Sequence, residues 1–153
     1  MNTVIEHDAA VDGMHDPRAN SLVSQPTDQV FSWQELARLD EALTMSSRET
    51  GLRFTLYIGD LGKPTRVRAE ELHGQSGGDP AESVLIALSP GQRVVEVVTG
   101  AGAARRLPDR ACALAVLSMT GSFAAGDLVG GIVNGLRQLS DQAGHPPALR
   151  HPY

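Results

Sequence analysis

The sequence predicts a small α/β fold, a three-layer-type sandwich in which a mixed β-sheet is packed by about four helices. Three observations support this class. Residues 33–50 repeat apolar side chains at helical spacing, residues 53–58 alternate them as a strand does, and residues 84–98 contain two further strand-like stretches. The length of 153 residues suits a single domain with one core.

The first predicted helix begins after Ser32. The sequence Ser-Trp-Gln-Glu places a hydroxyl acceptor at the N-cap and Glu35 at the third helical position, which is the arrangement of a capping box. Gly51 is suited to end the helix because glycine adopts the left-handed backbone conformation without a steric penalty. The apolar stripe of this helix consists of Leu36, Leu39, Ala42 and Leu43.

Three strands are predicted after this helix. A long polar connection separates the first strand, 53–58, from the second, 84–88, and a crossover of this length favours parallel pairing. The third strand, 94–98, follows closely enough to form an antiparallel hairpin with the second. Pro90 and Gly91 predict a type II turn in this hairpin, with a positive φ at Gly91.

Two helices are predicted to complete the domain, over residues 108–119 and 127–142, and Gly121 is expected to separate them. Cys112 is expected to be a small hydrophobic residue on the buried face of the first of these helices rather than a nucleophile. The other apolar members of that face are Ala115, Val116 and Met119.

The chain is predicted to consist of a disordered acidic N-terminal tail over residues 1–30, one α/β domain over residues 31–143, and a flexible C-terminal tail over residues 144–153. The N-terminal segment has neither a helical nor a strand period, and it holds five acidic residues against one basic residue. The C-terminal segment is rich in proline, which cannot extend the last helix.

Charge and composition argue against several classes of function. Residues 31–153 hold 13 acidic and 12 basic residues, so we expect no concentrated positive surface and no nucleic-acid partner. The apolar segments are far shorter than the ~20 residues that span a bilayer, so no membrane span is expected. The single cysteine, and the absence of basic residues followed by an apolar run near residue 1, favour a cytoplasmic location.

The pattern Thr99-Gly-Ala-Gly102 is similar to the start of a dinucleotide-binding turn. It lacks the third glycine of that motif, and Pro108 delays the helix whose N-terminus would hold the phosphates. We therefore interpret it as a structural turn at the end of a strand.

Residues 83–140 resemble the TPM domain. The resemblance rests on an apolar strand and hairpin ending in Thr99-Gly-Ala-Gly102, on Leu107-Pro-Asp109, and on Phe123-Ala-Ala-Gly-Asp127 before a glycine-rich helix. Over residues 52–82 the sequence is similar to the TPM domain only in outline. The resemblance implies a sandwich around a mixed sheet. It also implies a bound divalent metal and acid phosphatase activity in some members, and repair or assembly of membrane complexes in others.

Three aspartates are candidate ligands for a divalent cation, Ca²⁺ or Mg²⁺. Asp60, Asp109 and Asp127 each lie next to the end of a predicted element, and such ends can share one edge of a sheet. Hard cations take several oxygen ligands from loops of this kind. In the alternative interpretation, Asp109 and Asp127 only cap helices, because a carboxylate at a helix N-terminus accepts backbone N–H groups.

Three arginines are candidate anion-binding residues. If a metal were bound, Arg105, Arg106 or Arg110 would neutralise the charge of a phosphoryl group held beside it. The alternative interpretation is a solvated helix entrance.

Three glycines on the last predicted helix are a candidate interaction surface. Glycine inside a helix costs about 1 kcal/mol relative to alanine, so Gly130, Gly131 and Gly135 need a packing reason. One reason is close seating on the sheet. The other is self-association or contact with an unknown protein partner.

Two functions from different classes remain. A non-enzymatic interaction or accessory module explains the nearly neutral domain, the glycine-rich helix and the lack of a recognisable nucleophile with its base. A metal-dependent acid phosphatase-like hydrolase rests on the resemblance and on the three aspartates. We favour the interaction module.

Overall fold

The structure of the protein, a computed structural model, describes residues 3–6 and 31–146. Its centre is a four-stranded mixed sheet in the order β1-β2-β3-β4, so the predicted α/β class is confirmed. The strands are Thr3–Glu6 (β1), Arg53–Ile58 (β2), Ser83–Ser89 (β3) and Val94–Thr99 (β4). The helices are Trp33–Thr50 (α1), Thr65–Gln75 (α2), Ala101–Ala104 (α3), Asp109–Ala124 (α4) and Leu128–Ala143 (α5), and a 3₁₀ turn covers Pro80–Glu82.

Helix α1 begins and ends where its sequence predicts. Ser32 Oγ accepts a hydrogen bond from the Glu35 backbone N–H at 3.1 Å, and Glu35 Oε1 accepts one from the Ser32 N–H at 2.8 Å. Gly51 follows the helix with φ 80° and donates its N–H to the Ser47 carbonyl. Both capping predictions are confirmed.

The strand pairing also follows the prediction. β2 and β3 pair in parallel, with Ile58 opposite Leu88, and β3 and β4 form an antiparallel hairpin. The carboxyl ends of β2 and β3 therefore lie at the same edge of the sheet, whereas β4 ends at the opposite edge. This difference in direction decides which loops meet.

Helices cover both faces of the sheet. On one face, Phe54, Leu56 and Ile86 belong to the larger apolar cluster, which packs against α1, α4 and α5. On the other face, Tyr57 and Leu85 pack in a smaller cluster with residues of α2. Every residue of β3 is buried between these two layers. Of the helices in the described ranges, none has both the length and the apolar character that crossing a membrane requires.

Residues 3–6 differ from the predicted disordered tail. They form β1, which pairs antiparallel with β2 and places Thr3 opposite Ile58. The sequence Thr3-Val4-Ile5 is β-branched and favours extended backbone, and β2 would otherwise present unpaired backbone groups at the sheet edge. The remainder of the predicted N-terminal tail, and residues 147–153 of the predicted C-terminal tail, lie outside the described residues.

The turn of the β3–β4 hairpin is not the predicted type II turn. The positive φ belongs to Arg93, at 58°, and not to Gly91. Gln92 N–H donates to the Ser89 carbonyl and Arg93 N–H donates to the Pro90 carbonyl, both at 3.2 Å. Hairpin loops of this length are commonly built around a type I turn, and a left-handed residue often closes them. The prediction placed the positive φ two residues too early because glycine is the residue type that most readily adopts it.

Gly121 does not separate the last two helices. Helix α4 continues through Gly121 to Ala124, and the chain turns at Gly126, whose φ is 87°. A glycine inside a helix lowers the stability of the helix by about 1 kcal/mol relative to alanine. The residues after Gly121 offset this loss, because Phe123 packs against the main core.

Candidate functional site

The three candidate aspartates occupy separate positions of the fold. Asp60 follows β2, and its Oδ2 accepts a hydrogen bond from the Gly62 N–H at 3.0 Å. Asp127 caps α5, and its Oδ1 accepts from the Gly130 N–H at 2.9 Å. Asp109 is the exposed first residue of α4. Two of the three carboxylates thus have local backbone partners.

Strand direction places Asp60 and Asp109 toward opposite edges of the sheet. Asp60 follows the carboxyl end of β2, beside Leu88, whereas β4 runs antiparallel and ends at Thr99 on the other edge before the chain enters α4. In the described part of the chain, no group of three or more His, Cys, Asp or Glu side chains is arranged to hold a metal ion. The three aspartates therefore do not fit a shared divalent cation.

We expect Ca²⁺ and Mg²⁺ to leave the melting temperature of the protein unchanged within about 1 °C. An ion that binds only the folded state at a hundredfold excess over its Kd adds about 2.7 kcal/mol of stability, which calorimetry detects easily. A rise that disappears in Asp127→Asn would contradict this expectation and favour the hydrolase. Asparagine is the matched variant because it caps helices about as well as aspartate.

The three candidate arginines do not act as one cluster. Arg106 Nη2 donates hydrogen bonds to the carbonyls of Ala143, Gly144 and His145 at 3.1, 2.8 and 3.1 Å. These carbonyls are at the C-terminus of α5, where a cation is favoured by the helix dipole. Arg105 and Arg110 are exposed. Arg106 therefore holds the end of α5, and an anion site at Arg105 and Arg110 stays a prediction.

The three candidate glycines form a contact inside the domain. Gly130, Gly131 and Gly135 are buried, and a Cβ atom at Gly131 would lie 2.7 Å from Phe123 Cε1. A Cβ at Gly135 would lie 2.7 Å from the Met119 side chain, and one at Gly130 would overlap the Asp127 carboxylate. Gly131 and Gly135 let α4 approach α5 closely, and Gly130 leaves room for the Asp127 cap of α5. The three glycines are not accessible to a partner, which corrects the predicted interaction surface.

The glycines of Thr99-Gly-Ala-Gly102 also serve close packing. A Cβ at Gly100 would overlap the Pro80 carbonyl, and one at Gly102 would overlap the Glu82 carboxylate. The strand-end pattern therefore makes room for the turn at Pro80–Glu82, which agrees with its interpretation as structural.

Cys112 and His73 are of residue types that often carry nucleophilic or acid–base chemistry. Burial raises the pKa of the Cys112 thiol, and the nearby Asp109 carboxylate raises it further. A thiol of this kind is mainly protonated at neutral pH and is a weak nucleophile. His73 is buried, with Nε2 3.1 Å from the Ser83 carbonyl oxygen. The surroundings of both side chains are therefore those of residues that stabilise the fold, not those of a catalytic pair.

An uncharged exposed surface runs along α4 and is not among the sites predicted from the sequence. Leu114 and Leu117 on this helix are 54% and 69% exposed. Residues 111–126 contain no Asp, Glu, Lys or Arg, and this absence of charge was the signal that sequence reasoning could have used. We call this surface the α4 outer face. Its exposed members are Ala113, Leu114, Leu117, Thr120, Gly121 and Ala124.

The fold defines the protein as a small α/β domain with a mixed sheet between helical layers, and solved structures share this fold. The N-terminal domain of a protein from P. gingivalis matches with a TM-score of 0.66 at 18% identity, over 81% of this chain and 83% of that one. The BA42 protein from Bizionia argentinensis matches with a TM-score of 0.64 at 15% identity, over 78% and 85%. The N-terminal domain of the cg2496 protein from Corynebacterium glutamicum matches with a TM-score of 0.60 at 13% identity, over 84% and 86%.

Within that class, the chain belongs to the family described as Domain of unknown function (DUF5130), which it matches over residues 7–140. Two curated relatives are uncharacterized proteins of Mycobacterium tuberculosis, from the CDC 1551 / Oshkosh and H37Rv strains. Each is 41% identical to this chain over 110 residues. The match covers 72% of this chain and 65% of each relative, so the chain spans less than two thirds of their length.

Proposed function

We propose that the protein is a non-enzymatic interaction module that binds a second copy of itself through the α4 outer face. The observation that carries this proposal is the exposure of Leu114 and Leu117 on a helix that has no charged residue between Arg110 and Asp127. A helix that stays in water normally places charged side chains opposite its buried stripe. Helix α4 carries no charged side chain on its buried side or on its exposed side over four turns. This is the pattern expected of a helix that is covered on both sides.

The shape and charge of the face suit a second copy. In a two-fold interface the same patch contacts itself, so a patch without charged side chains avoids like-charge repulsion between the two copies. Ala113 and Gly121 lie one helical turn before and after Leu117. Apart from the adjacent backbone of α4, no described atom lies within 4 Å of where a Cβ would stand at Gly121. These small residues leave space beside Leu117 for a leucine of the facing helix.

The expected dimer is weak. Fully burying a leucine side chain contributes about 1.5–3 kcal/mol, and roughly half of that remains to be gained at each of the four leucines in a dimer. The cost of association removes part of this gain. We therefore expect a dimer Kd no tighter than about 100 µM.

Sedimentation equilibrium tests this proposal. Leu117→Glu places a charge at the centre of the face, and we expect it to raise the dimer Kd at least tenfold while the melting temperature of the monomer stays the same. Val67→Glu is the matched control because Val67 is 49% exposed on α2, on the other side of the sheet. A wild-type protein that stays monomeric at concentrations on the order of 1 mM, or equal effects of the two variants, would contradict the proposal.

We also propose that the family is related to the TPM domain and that the protein acts in the cytoplasm. The order of strand, hairpin and helices over residues 83–140 supports the first proposal. The single, half-buried cysteine supports the second, because such a protein needs no oxidising compartment. The relationship can be tested on the structure of a TPM domain. If the two are related, the residues that correspond to Thr99–Gly102 should pack against a 3₁₀ turn there as well.

A further inference from the structure

A cleft lies between the β3–β4 hairpin and the connection from α4 to α5. It adjoins the α4 outer face and shares Thr120 and Ala124 with it, but Leu114 and Leu117 do not line it. Its volume is about 420 Å³, which is within the range of small-molecule sites. Most of the lining is apolar. The apolar side chains that line it are Leu88, Pro90, Val95, Phe123, Ala124 and Leu128.

Arg93 is the one charged side chain that lines this cleft. Within residues 31–146 no hydrogen bond or ion pair engages its guanidinium. Asp127 is close in sequence to two lining residues, but it does not line the cleft, and its Oδ1 accepts from the Gly130 N–H as the cap of α5. The cleft therefore combines an apolar wall with one unneutralised cation.

The backbone at Arg93 points to a use for its side chain. Its φ of 58° lies in the left-handed region, which is unfavourable for most residues with a Cβ. Glycine or asparagine would close the hairpin with less strain. An arginine at this position keeps the strain and adds a guanidinium at the mouth of an apolar cleft.

We propose that this cleft binds a small amphiphilic carboxylate, a class represented by medium-chain fatty acids. The alkyl chain would pack against Phe123 and Leu128, and the carboxylate would pair with the Arg93 guanidinium. A guanidinium binds a carboxylate through two parallel charge-assisted hydrogen bonds, which an alcohol cannot form. The site therefore selects an anion with an apolar tail over a neutral molecule of the same length.

An NMR titration of the full chain tests this site with three probes. Octanoate has both features, octanol has the tail alone, and acetate has the head group alone. We expect octanoate to bind about tenfold more tightly than octanol, since one charge-assisted pair separates them. Acetate is expected to cause no saturable shift. The amide shifts caused by octanoate are expected at Leu88, Val95, Phe123 and Leu128.

Two substitutions at Arg93 separate binding from stability. Arg93→Asn is expected to remove the preference for octanoate over octanol while the protein melts at the same or a higher temperature, because asparagine accepts the left-handed conformation. Arg93→Lys is expected to keep part of the preference. Equal binding of octanoate and octanol, no effect of Arg93→Asn, no binding, or shifts centred on Leu114 and Leu117 would each overturn the proposal.

Discussion

Replacing Gly100 by alanine is expected to lower the free energy of unfolding by about 3 kcal/mol. The new Cβ would overlap the Pro80 carbonyl and would lie 2.7 Å from the Ala81 backbone carbon atoms. The obstacle is backbone rather than a flexible side chain. Ala81 N–H is itself held by Asp79 Oδ1 at 3.0 Å, so the turn cannot move aside cheaply.

Gly91→Ala is the control for this substitution. Apart from its own residue and its two chain neighbours, no described atom lies within 4 Å of a Cβ at Gly91, and the φ of Gly91 is outside the left-handed region. We expect a change of less than about 0.5 kcal/mol. Urea unfolding of both variants measures the difference, and equal destabilisation would show that the space around Gly100 does not govern its effect.

Replacing Leu43 by alanine is expected to lower the free energy of unfolding by about 3 kcal/mol. Leu43 is fully buried on α1 in the main core, so its truncation leaves a cavity as well as losing apolar contact. Thermal or urea unfolding measures this loss.

Leu117→Ala makes the same chemical change on an exposed helical surface. Leu117 is 69% exposed, so we expect less than about 0.5 kcal/mol of change in the stability of the monomer. The same variant is expected to weaken self-association. A large loss of monomer stability in Leu117→Ala would mean that the α4 outer face is part of the fold rather than a contact surface.

The sequence predicted the fold wherever local chemistry and tertiary structure agree. Ser32 and Glu35 define the start of α1 through their own hydrogen bonds, and the spacing between the strands favours the parallel crossover. The positive φ at Arg93 was not predictable by type, because glycine is the residue that normally signals it. β1 was missed because four residues are too few to show a period.

The candidate site was predicted less well, since it depends on how distant elements meet. Asp60 and Asp109 look equivalent in the sequence, yet the antiparallel direction of β4 sends them toward opposite edges. Gly131 and Gly135 were correctly singled out as needing a packing reason, but sequence spacing does not show which element packs against them. The lack of charge along α4 was visible in the sequence. Its exposed half could be assigned only after α5 had been located on the other half.

Cross-linking through a cysteine at position 117 tests the central claim most directly. The experiment uses Leu117→Cys in a Cys112→Ala background and a short bismaleimide, with Gln138→Cys on the exposed side of α5 as the matched control. We expect a covalent dimer to form rapidly from the Leu117→Cys protein and slowly from the control. Equal, slow cross-linking of both proteins at concentrations on the order of 1 mM would contradict contact between two α4 outer faces.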